Sequence, residues 1–213
     1  MQPEFHRYLV AVESGHRLDE DLANWERHTL FKTAFRQQQE IVHRRQPGQR
    51  HGEPVVNTSL ITFLQSIKEL IPEATKHWVR QFVAITDGHL MDWVDEVRGV
   101  VECKRGLRNN HFPQVDKQEG AHFAAWSNER PDGPGNRRSW RVLVSQDGPE
   151  LYVSFLEYGP AWEEYITKNR VGNVFPVPAA NLATIRTYGA WKIDIAQDML
   201  DFARIIVAIL LHP

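Results

Sequence analysis

A change of sequence period at residue 77 constrains this fold more than any other feature. Over residues 78–85, β-branched and aromatic side chains interleave with polar ones, and the run stops at Asp87 and Gly88, a dipeptide typical of tight turns. Residues 89–95 predict a return strand. A turn over residues 96–99 then leads into a short apolar strand over residues 100–103. The sequence therefore predicts three consecutive antiparallel strands.

Helical patterns flank these strands. Apolar residues recur at helical spacing over residues 19–45, and again from a cap at residues 57–59 to the position before Pro72, with a Pro- and Gly-rich loop between them. Further helices are predicted over residues 115–126, near Pro160 and over residues 194–211, and a hairpin over residues 140–156. This order predicts an α+β fold, an α/β/α sandwich in which helices flank a mixed central sheet.

Composition excludes several classes of protein. The chain has 213 residues, of which 42% are apolar, which is enough for one core and one domain. Its net charge of −2 argues against a polycation, so any DNA contact needs a local basic patch. The single cysteine excludes an internal disulfide, no signal pattern opens the chain, and the longest apolar stretch is too short to span a membrane. We therefore expect an intracellular protein with no membrane partner.

Charged residues in the third predicted strand suggest a metal site. Strand alternation places Glu102 and Lys104 on one face and Cys103 on the other. Asp92 lies ten residues before Glu102, and the turn predicted at residues 96–99 would bring the two carboxylates side by side. Mg²⁺ is usually held by only one or two carboxylates, with water and phosphate completing the shell. A carboxylate pair beside an ammonium is the expected arrangement for phosphodiester hydrolysis.

These residues resemble a known nuclease family. The run Asp-Trp-Val-Asp-Glu-Val-Arg-Gly-Val-Val-Glu-Cys-Lys-Arg-Gly over residues 92–106, followed by Gln114 and Gln118 on a predicted helix, is similar to the active-site core of the PD-(D/E)XK nuclease superfamily. The resemblance covers residues 58–156 and extends to uncharacterised fungal proteins with this core. It implies a restriction-endonuclease-like core and the use of Mg²⁺ or Mn²⁺.

The same resemblance implies roles for individual residues. Asp92 and Glu102 would bind the metal, and Lys104 would position or help to deprotonate the attacking water. Gln118 matches a helix glutamine of RecB-like members, whose tyrosine four residues later is His122 here. The proline of the family motif is replaced by Met91.

Several alternatives stay open at this point. Asp87, fifteen residues before Glu102, is the alternative metal ligand, although its Asp-Gly turn explains it without a metal. For a further acid from the preceding helix, Glu69 is the first candidate and Glu40 the second. Arg105 and Arg108, with the arginines at 137 and 138, are candidates for phosphate contacts. The histidines and Cys103 lack the spacings of a zinc site.

We divide the single domain into a helical N-terminal extension (1–57), a nuclease-like core (58–170), and a loop with a C-terminal helix packed on the core (171–213). The expected function is metal-dependent nuclease activity on DNA. Two rivals are a nuclease fold that binds or regulates without catalysis, and a structural subunit of a larger assembly. The apolar face of the last helix predicts a core helix, with a homodimer seam as the alternative.

Overall fold

The structure is a computed structural model, and it describes residues 28–43, 53–71, 74–80, 86–92, 94, 96–132, 140–168 and 182–211. Several predicted segments lie outside this part of the chain: the start of the first helix at 19–27, the loop at 44–52, the strand residues 81–85, the arginines at 137 and 138, and the loop at 169–181.

The described part of the chain contains five α-helices and six strands. In order they are α1 (Thr29–His43), α2 (Glu53–Glu69), β1 (His77–Arg80), β2 (Gly88–Met91), β3 (Val97–Lys104), a 3-10 turn (Arg108–Asn110), α3 (Gln114–Glu129), β4 (Trp140–Asp147), β5 (Glu150–Glu157), α4 (Pro160–Lys168), β6 (Thr184–Lys192) and α5 (Ala196–Leu211). The mixture of strands and helices confirms the predicted α+β class.

The strands form one mixed sheet in the order β1-β2-β3-β4-β5-β6. All neighbouring pairs are antiparallel except β3 and β4, which run parallel with Val100 opposite Leu143 and Lys104 opposite Asp147. A parallel pair needs a long crossover connection, and α3 supplies it here. The N-terminal end of α3 therefore lies near the C-terminal end of β3, where Lys104 stands.

Two hydrophobic cores cover the two faces of the sheet. The larger one packs α1, α2 and α5 against inward-facing residues such as Val101, Cys103 and Val144. The smaller one joins Val100 and Leu143 to α3 and α4 through Phe123, Trp126 and Trp162. Neighbouring strand residues alternate between these cores, as the pleat of a strand requires. Helices thus flank the mixed sheet on both sides.

The C-terminal helix, α5, packs into the larger core. In α5, Phe202, Ala203 and residues 205–210 are all buried within the chain. This matches the core-helix prediction, whereas the homodimer seam stays a prediction. No helix in the described ranges is long and apolar enough to cross a membrane.

The predicted turn between the second and third strands is wrong. Residues 97–99 belong to β3, and the chain reverses between Met91 and Val97, with Leu90 paired to Gly99. A Cβ at Gly99 would stand 3.0 Å from a methyl carbon of Val142, so glycine makes room for this close packing. A glycine that makes room for a neighbouring strand was thus mistaken for a turn residue.

Two other boundaries differ from the sequence-based expectation. α2 begins at Glu53 rather than at residues 57–59, since Pro54 is tolerated in a first helical turn whose N–H groups have no helical partner. The predicted boundary at 57/58 therefore falls inside α2. β6 was not predicted, because this edge strand lacks an alternating pattern and is largely exposed.

Candidate functional site

The candidate site lies where β2 begins and β3 ends. The last ladder pair is Gly88 with Val101, and Asp87 precedes this pair, just outside β2. Two hydrogen bonds hold Asp87 against the end of β3, one to its backbone and one to its side chain. The N–H of Asp87 donates to the carbonyl oxygen of Val101 (2.9 Å), and the N–H of Cys103 donates to Asp87 Oδ2 (2.6 Å). Asp87, the alternative ligand in the sequence, is therefore the acid that lies near Glu102, close enough for the charge of Glu102 to raise its pKa.

Glu102 gathers the other polar groups of the site. Lys104 Nζ forms an ion pair with Glu102 Oε1, as two residues on one face of a strand can. From the opposing layer, Gln118 Nε2 donates to the same oxygen (2.7 Å), and His122 Nε2 lies 3.1 Å from Glu102 Oε2. Gln118 and His122 are one turn apart on α3 and share its inner face. The predicted association of Glu102, Lys104 and Gln118 is present.

The first turns of α2 close the site from the other side. Glu53 Oε1 lies 3.2 Å from Lys104 Nζ, and Asn57 Nδ2 donates to Asp87 Oδ1 (3.1 Å). Glu53 is thus the acid that the preceding helix contributes. Glu69, the first candidate for that position, is exposed at the opposite end of α2, about 24 Å away along the helix axis. Glu40 is exposed on α1.

Burial and neighbouring charges shift the pKa values of three side chains at the site. Burial raises the pKa of the Asp87 carboxyl, and the neighbouring Glu102 raises it further. Burial also raises the pKa of Glu102, but His122 and Lys104 outweigh it, so that pKa is lowered overall. Burial lowers the pKa of Lys104, and Glu102 with Glu53 reverses this, leaving it raised. Opposite charges thus keep Glu102 and Lys104 ionised, while repulsion from Glu102 disfavours the ionised form of Asp87.

The acids of the site leave it with excess negative charge. Asp87, Glu102 and Glu53 place three carboxylates near the single ammonium of Lys104. Among the described residues, no group of three His, Cys, Asp or Glu side chains is arranged to hold a metal ion. Mg²⁺ is usually held by only one or two carboxylates, with several waters beside them.

Two buried polar atoms at the site lack a hydrogen-bond partner among the described residues. Asn57 Oδ1 accepts no hydrogen bond, although Asn57 Nδ2 contacts Asp87. His122 Nε2 lies within ion-pair distance of Glu102 but without the alignment of a hydrogen bond. Buried polar atoms are normally satisfied, so these two are suited to bind water or a ligand of the site.

Comparisons with known proteins give no relative. No family model matches the chain, and neither the curated proteins nor the solved structures contain a match.

Asp92 does not stand beside Glu102, so this part of the prediction is wrong. It lies past the far end of β2, where Oδ1 accepts the N–H groups of Val94 (3.0 Å) and Glu96 (2.9 Å) and Oδ2 accepts Arg98 Nε (2.6 Å). The chain reversal at this point places it some five residues of strand, about 16 Å, from Glu102. Asp92 organises the turn.

Arg108 is not available to a phosphate, in contrast to its prediction as a nucleic-acid contact. Its guanidinium is buried, donates to Asp147 Oδ2 (2.8 Å) and forms an ion pair with Glu119. Arg105 is exposed, three residues earlier. Of the predicted basic pair, only Arg105 is placed where it can meet a partner in solvent.

Sequence reasoning missed three residues of the site. Glu53 and Asn57 fell in or beside the segment that was interpreted as a loop and helix cap. His122 was regarded as a departure from the family pattern. Its spacing of four residues from Gln118 was the available signal, because residues one helical turn apart share a face.

Proposed function

We propose that this protein is a metal-dependent phosphodiesterase that cleaves DNA, with Asp87 and Glu102 as ligands of Mg²⁺ or Mn²⁺. The observation that carries the proposal is the position of Asp87 at the end of β3, where its carboxylate accepts the N–H of Cys103, the residue between Glu102 and Lys104, and where Lys104 pairs with Glu102. The resemblance of this motif to PD-(D/E)XK nucleases, and to their restriction-endonuclease-like core, supports the same reaction. The sheet flanked by helices is compatible with that core.

A bound dication would supply a water of lowered pKa and would offset the negative charge that develops on the phosphate. The chain's own residues hold the reacting groups in place. Lys104 has three N–H donors, of which Glu102 and Glu53 occupy two, so the third can reach a phosphate oxygen or a water. Gln118 donates to Glu102 through its nitrogen, which leaves its carbonyl oxygen to accept a hydrogen bond from water.

DNA is the proposed substrate because exposed cations adjoin the site residues in the sequence. Arg105 directly follows Lys104, and Lys117 directly precedes Gln118. Both side chains are exposed, and neither forms an ion pair with an acid in the described part of the chain. Phosphate contacts from Lys and Arg supply most of the affinity of non-specific DNA binding. These two residues give a nearly neutral protein the local positive charge that it needs.

The test is cleavage of labelled DNA by the purified full chain with Mg²⁺ or Mn²⁺. We expect Glu102→Gln and Lys104→Ala to lose at least about 100-fold in rate, as is common when a charged group that stabilises a transition state is removed. Glu69→Gln and Lys68→Ala, at the other end of α2, are matched controls and should cleave like the wild type. Full activity in Lys104→Ala would refute the role of Lys104, and full activity in Glu102→Gln would refute the proposal.

One observation favours a second function, a binding module of the same fold without catalysis. Three of the four carboxylate oxygens of Asp87 and Glu102 already accept hydrogen bonds from protein donors, and the fourth, Glu102 Oε2, lies 3.1 Å from His122 Nε2. Both Asp87 oxygens and Glu102 Oε2 keep a free lone pair for a metal, but the two carboxylates also have protein partners without one. DNA binding that is unchanged by chelation, together with no cleavage in either metal, would establish this alternative.

A further inference from the structure

The loop between β3 and α3, residues 105–113, displays apolar side chains next to the candidate site. Phe112 is 66% exposed, the highest value among the large apolar side chains that are described, and Leu107 is 38% exposed. Burying a phenylalanine typically stabilises a protein by about 1.5–3 kcal/mol. The chain forgoes that stabilisation beside its most polar site, which suggests that Phe112 meets a partner there.

This loop is anchored, so the exposure of Phe112 does not come from a loosely attached segment. Arg108 fixes its middle through buried ion pairs with Glu119 and Asp147. His111 packs so closely on Gly106 that a Cβ there would lie 2.7 Å from His111 Nε2. Backbone hydrogen bonds also close the 3-10 turn: Asn110 N–H to the Leu107 carbonyl (3.0 Å), and His111 N–H to the Arg108 carbonyl (2.9 Å).

The position of Phe112 relative to the site suits a nucleic-acid strand. Phe112 is two residues before the start of α3, which is at most about 7 Å of chain. Gln118 follows one helical turn later, about 6 Å further on. The path along the chain is thus at most about 13 Å, the length of about four nucleotides of a stacked strand at ~3.4 Å each. A strand whose phosphate lies at Glu102 can therefore bring a nearby base to Phe112.

Charge and shape together define the partner. Arg105, at the start of this loop, and Lys117, in the first turn of α3, are exposed cations, and each adjoins a residue of the candidate site in the sequence. Proteins that hold single strands combine such cations with exposed aromatic rings, because every base offers a face for stacking. Paired bases inside a duplex offer no free face to a protruding ring. The combination of Phe112 with these cations therefore fits unpaired DNA better than a blunt duplex.

We propose that Phe112, with Arg105 and Lys117, forms a stacking platform for an unpaired base of single-stranded or frayed DNA. This inference rests on the proposed function, because the strand bound at the platform would lead into the Glu102 site. It specifies the substrate class: single strands, and duplexes with unpaired ends, rather than blunt duplexes.

The test is fluorescence anisotropy with a labelled oligothymidine of twelve nucleotides and a blunt duplex. The full chain carrying Glu102→Gln is used in chelator, so that binding is measured without cleavage or metal. Phe112→Ala is expected to weaken single-strand binding about tenfold, since stacking on an aromatic ring contributes about 1–3 kcal/mol per base. Phe112→Trp should retain the affinity, and duplex binding should change little. Leu182→Ala, which removes another exposed apolar side chain (58% exposed), is the matched control.

The platform is overturned if the starting protein does not bind the oligothymidine, or if Phe112→Ala binds it equally well. It is also overturned if Leu182→Ala produces the same loss, or if the loss is equal for the duplex. Because these measurements need no catalysis, binding that depends on Phe112 in a protein without cleavage would refute only the nuclease proposal. Cleavage without dependence of binding on Phe112 would refute only the platform.

Discussion

Replacing Arg108 with methionine tests the buried ionic cluster beside the site. The cluster consists of Arg108, Glu119 and Asp147, with two serine hydroxyls. Ser145 Oγ accepts from Arg108 Nη2 (3.1 Å), and Ser154 Oγ donates to Glu119 Oε2 (3.0 Å). Glu119 is 1% exposed and Asp147 is fully buried. The methionine fills part of the arginine's volume but leaves both carboxylates without their cation.

The expected destabilisation is large. Removing one partner of a buried ion pair costs about 3–5 kcal/mol, because it leaves a buried charge without compensation. The guanidinium also lies 4.3 Å from the centre of the Tyr152 ring, a contact that contributes about 1 kcal/mol. For a chain of this length, each kcal/mol lowers Tm by about 2–4 °C, so Tm should fall by about 10 °C or more.

The size of this effect should depend on pH in a defined direction. Burial raises the pKa of Asp147 to about 6, although the charge of Arg108 lowers it. Removing that charge raises the pKa further, so Asp147 stays neutral to a higher pH in the variant. A neutral carboxyl needs no cation, and the destabilisation by Arg108→Met should therefore be smaller at pH 5 than at pH 8.

Urea unfolding followed by far-ultraviolet circular dichroism at pH 5 and pH 8 measures the loss in free energy of unfolding and its dependence on pH. Arg105→Met is the control, because this arginine is exposed, and exposed substitutions usually change stability by less than about 0.5 kcal/mol. If Arg108→Met were as stable as this control at pH 8, Arg108 would not be a buried anchor. An equal loss at both pH values would contradict the electrostatic origin of the effect.

Two further predictions concern carboxylates whose pKa is raised. The folded-state pKa of Asp147, about 6, exceeds its ordinary value of 3.8, so wild-type stability should fall as the pH rises from about 4 to 6. Asp147→Asn removes this pH dependence. Relative to the wild type, its free energy of unfolding in urea should therefore rise by up to about 3 kcal/mol between pH 4 and pH 7. An equal difference from the wild type at both pH values would contradict this. Asp87→Asn relieves desolvation of a buried charge and repulsion from Glu102, so we expect it to unfold at a higher urea concentration than the wild type at pH 7. A loss of stability there would show that the acid does not carry that repulsion.

Local sequence patterns correctly predicted those features of the site that depend on a single strand or a single helix. Strand alternation placed Glu102 and Lys104 on one face and Cys103 on the other, and the structure buries Cys103 in the larger core. Helical spacing placed Gln118 on a helix, and its amide reaches Glu102. These predictions needed only the period of a strand or a helix.

Features that depend on contacts between distant segments were not predictable in this way. Gly99 pairs with Leu90 inside the sheet and packs closely on Val142 of another strand. Assigning that glycine to a turn moved the expected reversal and selected Asp92 in place of Asp87. Likewise, Arg108 is buried because Asp147, 39 residues away in sequence, pairs with it. No local pattern identifies such a partner.

Calorimetric titration of Mn²⁺ into the purified chain tests the central claim most directly. Asp87→Asn and Asp92→Asn are matched substitutions of two aspartates at opposite ends of β2, and asparagine keeps an oxygen that can accept the N–H groups of Val94 and Glu96 at residue 92. The wild type and Asp92→Asn should bind the metal, whereas Asp87→Asn should lose binding. Absence of binding in the wild type, or loss in Asp92→Asn with retention in Asp87→Asn, would contradict a metal site built on Asp87 and Glu102.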